Sequence, residues 1–386
     1  MQVKYIAATL GLLCFSVPSV ALPQTNVRES SPETLFNGMQ KTYETNINKV
    51  LSSNASDTSC TRHSVSVRRS WDVLSRSERL EYIHAVKCLH NLPSKVDKTL
   101  APSARVRADD FTYQHMNQTN FAHASGIFLP WHRQFMWMYE KSLREECGYK
   151  GYVPYWDWMK YSDDQSKASI FEDGPAGFGG NGKAISHPDT NQSLPDVPGP
   201  FYITRKAGTG GGCVTTGAFA NLSVNLGPVV PGNNSVDDPY GVKNPPHCLS
   251  RDFNQEYSDT GLTYTAALTL LQSADYNAFF GNFDHLVHGF AHQYLGGDGY
   301  DFYSSPSDPV FFLLHSQIDR LWTIWQGLDQ DVRKSQVGGT ETFANRPPSA
   351  NTTLDTILRM TEILGGDVNF GHTISTIEND YCYIYA

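Results

Sequence analysis

Six histidines in two widely separated sets constrain this chain more than any other feature. His115, His123 and His132 fall at spacings of eight and nine; His288 and His292 stand at i, i+4, and His315 follows in DPVFFLLHSQIDRLW. Imidazoles four apart share one helix face and can chelate one metal ion. Three such side chains plus three more exceed what a single-metal site uses, so the pattern points to two metals with open coordination positions. The purely structural alternative scatters six imidazoles through an apolar core, where each uncompensated ring costs free energy. The fold must therefore bring two distant stretches of chain face to face.

Apolar periodicity around both sets is helical, which makes the chain mainly α. Between Ser75 and Leu89, SRSERLEYIHAVKCL places Leu80, Ile83, Val86 and Leu89 on one face, with Ser75 or Ser77 as cap. His84 and His90, in or just past this helix, read as structural or surface residues. Phe111 to Asn117 continues as a helix carrying His115. Eight steps of 100° leave His123 about 80° off that face, so a break is expected between the two. Pro130 suits the first turn of a new helix. That helix runs from Trp131 towards Cys147, buries Phe135, Met138, Tyr139 and Leu143, and stops at Gly148.

Residues 173–260 lose this periodicity and gather Gly and Pro (GPAGFGGNGK, GTGGGC, NPPHC), which reads as long ordered loops and short strands. His187 and His247 in these loops read as non-ligands. The helical pattern returns at Tyr264 and includes YNAFFGNFDHLVHGFAHQYLGG, where His285 stands three before His288. Spacing alone leaves 285/288 open beside 288/292. Val310 to Trp325 is a strongly apolar helix. Asp319, one turn after His315, is placed to fix the tautomer of a neighbouring imidazole in the second shell of a metal, or else to pair with an arginine.

The N-terminus reads as an export signal: Lys4, an apolar run from Ile6 to Val17, and Ser19-Val20-Ala21 before a cut after residue 21. The apolar run, about 12 residues, is too short to span a bilayer, and no later stretch is long enough. Residues 22–58 are expected as an N-terminal arm or pro-segment, amphipathic around Leu35–Leu51, ahead of a catalytic domain over 59–386. Beyond Cys14, the cysteines Cys60, Cys88, Cys147, Cys213, Cys248 and Cys382 form an even set that implies disulfides of undetermined pairing. No CxxC pair offers a cysteine zinc site. Sequons at Asn54, Asn117, Asn191, Asn221, Asn233 and Asn351 suit a secreted glycoprotein, although Asn117 lies between two proposed ligands. The net charge of −9 becomes more acidic once a leader holding only Lys4 is removed. That argues against a basic nucleic-acid face and says nothing about small neutral substrates; no membrane partner is expected. Oligomeric state is not set.

All-imidazole ligation suits copper, zinc, iron or nickel and disfavours magnesium, calcium and manganese. Two open sites facing each other within Phe and Trp suit a copper pair that exchanges two electrons with O2; zinc pairs for hydrolysis more often recruit carboxylates. The stretches FAHASGIFLPWHRQFMWMYEKSLREECGYKGYVPYWDW and SDPVFFLLHSQIDRLWTIWQ resemble the two copper signatures of the tyrosinase and catechol oxidase (polyphenol oxidase) family, in its short secreted fungal form. ERLEYIHAVKCLHNLPS and DDFTYQHMNQTNFAH add to a resemblance that covers residues 59–386. It implies a four-helix bundle housing a type 3 dicopper site. In it His115, His123 and His132 bind copper A, His288, His292 and His315 bind copper B, and O2 is the co-substrate of small phenols. Tyr383-Ile384-Tyr385 resembles the tyrosine motif that closes the catalytic core.

Departures from the family pattern bear on activity. Where many members carry a cysteine cross-linked to the second copper A histidine, this chain has Phe121, so no thioether is expected. The usual His-His pair reads Leu314-His315. Gly289 replaces the Asn that follows the first copper B histidine in efficient monophenol hydroxylases. The partner glutamate is not evident; Asp284 is the nearest carboxylate, one methylene shorter. Phe302 aligns with the aromatic gate over copper A. A phenol must lose a proton with a pKa of about 10 before hydroxylation, so o-diphenol oxidation is expected to exceed monophenol hydroxylation. The expected products are o-quinones, or quinone imines from o-aminophenols, with O2 reduced to water. Alternatives are a true tyrosinase with monophenol hydroxylase activity, a haemocyanin-like O2 carrier and a dizinc hydrolase.

Overall fold

The computed structural model describes residues 30–52, 60–193, 202–229, 238 and 240–386. The expected leader and the sequons at Asn54 and Asn233 lie outside them. Helices α1 (Pro32–Ser52), α2 (Arg76–Leu89), α3 (Arg107–Ala122) and α4 (Phe128–Glu145) precede the loop region. After it come α5 (Gln255–Gly261), α6 (Tyr264–Leu271), α7 (Tyr276–Asn282), α8 (Gly289–Leu295) and α9 (Val310–Leu328). Strand β1 (Ser66–Arg68) runs parallel to the C-terminal β8 (Tyr383–Tyr385). The others pair antiparallel: β2 (Thr190–Ser193) with β3 (Tyr202–Arg205), β4 (Ser223–Val224) with β5 (His247–Cys248), and β6 (Ile357–Leu358) with β7 (Val368–Asn369).

Every residue of α9 from Val310 to Gly327 is buried, as a helix apolar on nearly all sides requires. Helices α1, α4 and α6 pack around it. Asp308 starts it: one carboxylate oxygen accepts the Val310 N–H at 3.0 Å, and both take Arg251 in a fully buried bidentate pair at 2.7 and 2.8 Å. That pair ties the Gly-rich loops to the central helix.

Local chemistry sets the other boundaries. Ser75 caps α2 in a reciprocal box with Glu78. Helix α3 runs past Asn117 to Ala122, and the chain becomes extended at His123 itself, so the break comes at the second histidine rather than before it. Leaving the helix there absorbs the angular offset and sets the His115 and His123 rings 4.9 Å apart. Helix α4 begins at Phe128, three residues ahead of Trp131, with Pro130 in its first turn. The Gly126 carbonyl, deprived of an N–H by Pro130, accepts the Tyr276 hydroxyl at 2.8 Å.

The N-terminal arm is not peripheral. Phe36, Tyr43, Ile47 and Leu51 are buried, and the Asn46 side-chain amide donates to the Gly327 carbonyl at 2.9 Å. A Cβ at Gly327 would meet the Tyr43 ring at 2.4 Å, so glycine is what lets α1 approach α9. Pro32–Ala386 is one compact unit, so α1 packs with the rest of the described chain. Disulfides join Cys60 to Cys382, Cys88 to Cys147 and Cys213 to Cys248. The first, with β1 and β8, fastens the C-terminus. Among the described residues no helix is long and apolar enough to cross a membrane.

Candidate metal centre

Four helical segments deliver the six histidines. His115 lies on α3, His123 at its end, His132 on α4, His288 and His292 on the run α7–α8, and His315 on α9. A π-turn over Phe283–His288 interrupts that run, a local widening frequent at functional sites. Within His115, His123 and His132, one ligand atom from each lies within 4.8 Å of the others, and the same holds for His288, His292 and His315. The triads face each other. The rings of His132 and His315 stack at 4.4 Å, and those of His123 and His288 at 5.8 Å.

Backbone carbonyls fix the tautomers of four of the six imidazoles. Nδ1 of His115 lies 2.7 Å from the Tyr303 carbonyl, that of His123 2.9 Å from Thr119, that of His132 2.8 Å from Phe128, and that of His292 2.6 Å from Gly299. A carbonyl only accepts, so each Nδ1 carries the proton and each Nε2 keeps a lone pair for a metal. Nε2 of His115 and of His132 are buried without a hydrogen-bond partner, and Nε2 of His292 and His315 approach to 3.2 Å. Burial, then neighbouring imidazoles, pushes His115, His132 and His315 well below the ordinary histidine pKa, so these rings are neutral donors. Phe311 stacks on His315 at 4.0 Å, and Phe128 lies 4.7 Å from both His132 and His288. Buried lone pairs, neutral imidazoles and an apolar surround fit two late first-row metal ions, copper among them.

A cavity of about 170 Å³ opens beside His123, His288 and His292. Gly289 and Phe302 line it, with the Phe302 ring 4.7 Å from His123. Gln192, Ile203, Gln293, Tyr300, Asp301 and Phe343 also line it; the sequence reading named none of these. Gln293, adjacent to His292, had a positional signal, but Gln192 and Ile203 lie where periodicity fades. The side chains of Asp284 and His285 lie outside the described part of the structure. His84 is exposed, His90 packs near Phe219, and His187 and His247 approach Asp252 and Asp298 at 3.3 and 2.7 Å, all outside the two triads. Phe121 is half exposed.

Asp319 does not support a metal histidine. One of its oxygens takes Arg133 at 2.6 Å; the other takes the hydroxyls of Tyr383 and Tyr385, each at 2.7 Å, and Arg68 at 3.4 Å. The tautomer-setting role expected of it falls to main-chain carbonyls. The closing tyrosines instead reach this buried carboxylate.

Fold and site together define a helical oxidoreductase built around a pair of imidazole-bound metal ions. The model of the common central domain of tyrosinase matches residues 105–328. The tyrosinase-like protein orsC of Emericella nidulans is 40% identical over 300 residues, 74% of this chain and 80% of that one. Tyrosinase P of Aspergillus terreus is 36% identical over 335 residues, 83% and 92% of the two chains. A mutant polyphenol oxidase from Thermothelomyces thermophila superposes with a TM-score of 0.84 at 35% identity, covering 91% of this chain and 97% of that one. The chain belongs to the tyrosinase family; it is a copper oxidoreductase whose cofactor is a pair of copper ions.

Proposed function

We propose that the protein is a secreted oxidase that converts o-diphenols, and o-aminophenols, to o-quinones and quinone imines while reducing O2 to water. In this reading His115, His123 and His132 hold copper A, His288, His292 and His315 hold copper B, and Phe302 stands over copper A as a gate. When bound, the metal pair exchanges electrons with O2; two o-diphenols, each giving two electrons and two protons, account for one O2 and two waters. The residues of the chain orient the ring beside His123 and keep water from it through Phe302 and Phe343. Six cysteines engaged in disulfides support an oxidising compartment.

The observation that carries the preference for diphenols is the lining of the cavity. Gly289 offers no side chain to hold a water. The one carboxylate among the described lining residues, Asp301, is occupied by backbone and side-chain N–H donors. Nothing described there stands ready to take a phenol's proton, and Asp284 remains the candidate base. The test is O2 uptake by copper-loaded protein on a matched catechol, o-aminophenol and monophenol. Uptake on the first two with little on the third is expected. Equal turnover of the monophenol, without a lag, would make the enzyme a true tyrosinase and overturn the preference; no uptake at two coppers per chain would point to a latent form or an O2 carrier.

A further inference from the structure

One wall of the cavity is built from two segments distant in sequence. Strands β2 and β3 place Gln192 directly across from Ile203, and both side chains line the cavity. The second segment carries Tyr300, Asp301 and Phe302. Gln192 is buried, and its amide joins the two: Oε1 accepts the Phe302 N–H at 3.0 Å, and Nε2 donates to an Asp301 oxygen at 3.2 Å. Chemistry fixes the orientation of the amide. The Phe302 N–H can only donate and the Asp301 carboxylate accepts, so a flipped glutamine loses both bonds. Asp301 in turn accepts the backbone N–H groups of Val229, Tyr303 and Ser304 at 2.8, 3.0 and 2.7 Å. The backbone of Phe302 is thereby held while its ring lies 4.7 Å from the His123 ring.

We propose that Gln192 is a positioning residue that sets substrate selectivity by clamping Phe302 over the cavity, favouring compact, neutral single-ring phenols over phenols with bulky ring substituents. The inference rests on the oxidase reading above. Glutamine suits the post because it alone among near-isosteres presents an acceptor and a donor at once. Methionine fills the same space and leaves the Phe302 N–H without its partner; glutamate keeps the acceptor facing Phe302 and sets a second carboxylate against Asp301, where the two must share a proton.

The experiment compares wild type, Gln192→Met, Gln192→Glu and Thr204→Val. The last breaks the exposed hydroxyl bond to Asn191 on the same hairpin and leaves the cavity untouched. Two quantities are read: hydrogen exchange at the Phe302 amide, and kcat/KM for catechol against a catechol with a bulky para substituent. In Gln192→Met the amide should exchange roughly tenfold faster. The ratio of the two kcat/KM values should move roughly five- to tenfold towards the bulky substrate, through KM more than kcat. Gln192→Glu should keep most of the amide protection and shift the ratio less, which also supplies a reading if the methionine variant folds poorly. An unchanged ratio in Gln192→Met, or an equal shift in Thr204→Val, overturns the clamp while leaving the oxidase reading intact. Wild type that oxidises neither catechol overturns the oxidase reading and the selectivity role with it, whatever the amide shows.

Discussion

Asp319 and Asp301 are both buried, both accept several hydrogen bonds, and each secures one side of the site, yet their surroundings differ in kind. Around Asp319 stand two guanidiniums and two tyrosine hydroxyls; Arg133 lies over Trp322 at 3.8 Å and Arg68 over Tyr383 at 3.7 Å. Burial alone would raise the Asp319 pKa, but Arg133, Arg68 and Tyr383 outweigh it and hold the group below the usual carboxylate range. Around Asp301 every donor is neutral. Burial dominates there, the N–H bonds offset it only in part, and the pKa lies above the usual range. The helical side of the site is locked by charge and close packing, whereas the loop side is locked by amide geometry. The first arrangement suits a metal centre that must not move, and the second a wall that decides which ring enters.

The largest effect tests whether the helical side stands apart from the cavity. Deleting the chain through Ser52 removes α1 and exposes the surface that Phe36, Tyr43, Ile47 and Leu51 cover. At about 1.5 kcal/mol or more for each buried side chain, the loss is on the order of 6 kcal/mol, comparable to the whole stability of many domains. No α1 residue lines the cavity, so the truncated protein should show a steep fall in thermal midpoint and no gain in catechol oxidation per folded molecule. A gain in activity would restore the view of this segment as a pro-peptide covering the site.

The next pair of variants sharpens the contrast itself. Asp319→Asn keeps the shape and removes the charge that compensates Arg133 and Arg68, at a cost of about 3–5 kcal/mol. Asp301→Asn turns one acceptor into a donor against Val229 and Gln192, leaving buried N–H groups without acceptors at about 1–3 kcal/mol. Chemical denaturation measures both. Selectivity between compact and bulky catechols should change only in Asp301→Asn. Equal destabilisation, or a selectivity change in Asp319→Asn alone, would show that the two sides are not specialised as described.

The same contrast explains what was legible in the sequence. The histidine set, α2, α4 and α9 could be read because spacing, caps and apolar period are local properties. The end of α3 falls five residues beyond the expected Asn117 because the turn at His123, and not a helix-breaking residue, realigns the ring. For Asp319 the sequence leaves both a metal-side role and an arginine partner open, because His315 is its only visible neighbour; the structure shows the arginines. Its partners Arg68, Arg133, Tyr383 and Tyr385 come from a strand, another helix and the chain terminus. The groups that do orient the imidazoles are carbonyls of Thr119, Phe128, Gly299 and Tyr303, and a main-chain oxygen carries no residue identity to read. Gln192 had no local signal either, since its role depends on the register of β2 with β3 and on Asp301 far along the chain.

The smallest effect is a difference in sign. Asp319, depressed below the ordinary aspartate pKa of about 3.9, contributes stability that is present above that value and lost as pH falls through its folded pKa. Asp301, raised above it, contributes stability that is present below the ordinary value and lost as pH rises through its folded pKa. The deficit of Asp319→Asn relative to wild type should therefore shrink as the medium is acidified. That of Asp301→Asn should be largest in acid and shrink towards neutrality. Urea midpoints for the three proteins between about pH 3 and pH 6 measure both trends, in the window around the ordinary aspartate value. Deficits that move in the same direction would mean that Asp301 is held by its N–H donors as firmly as Asp319 is by its arginines. The loop wall would then be as rigid as the helical side, and the selectivity assigned to Gln192 would have to come from the shape of a fixed cavity and not from a clamp that can be loosened.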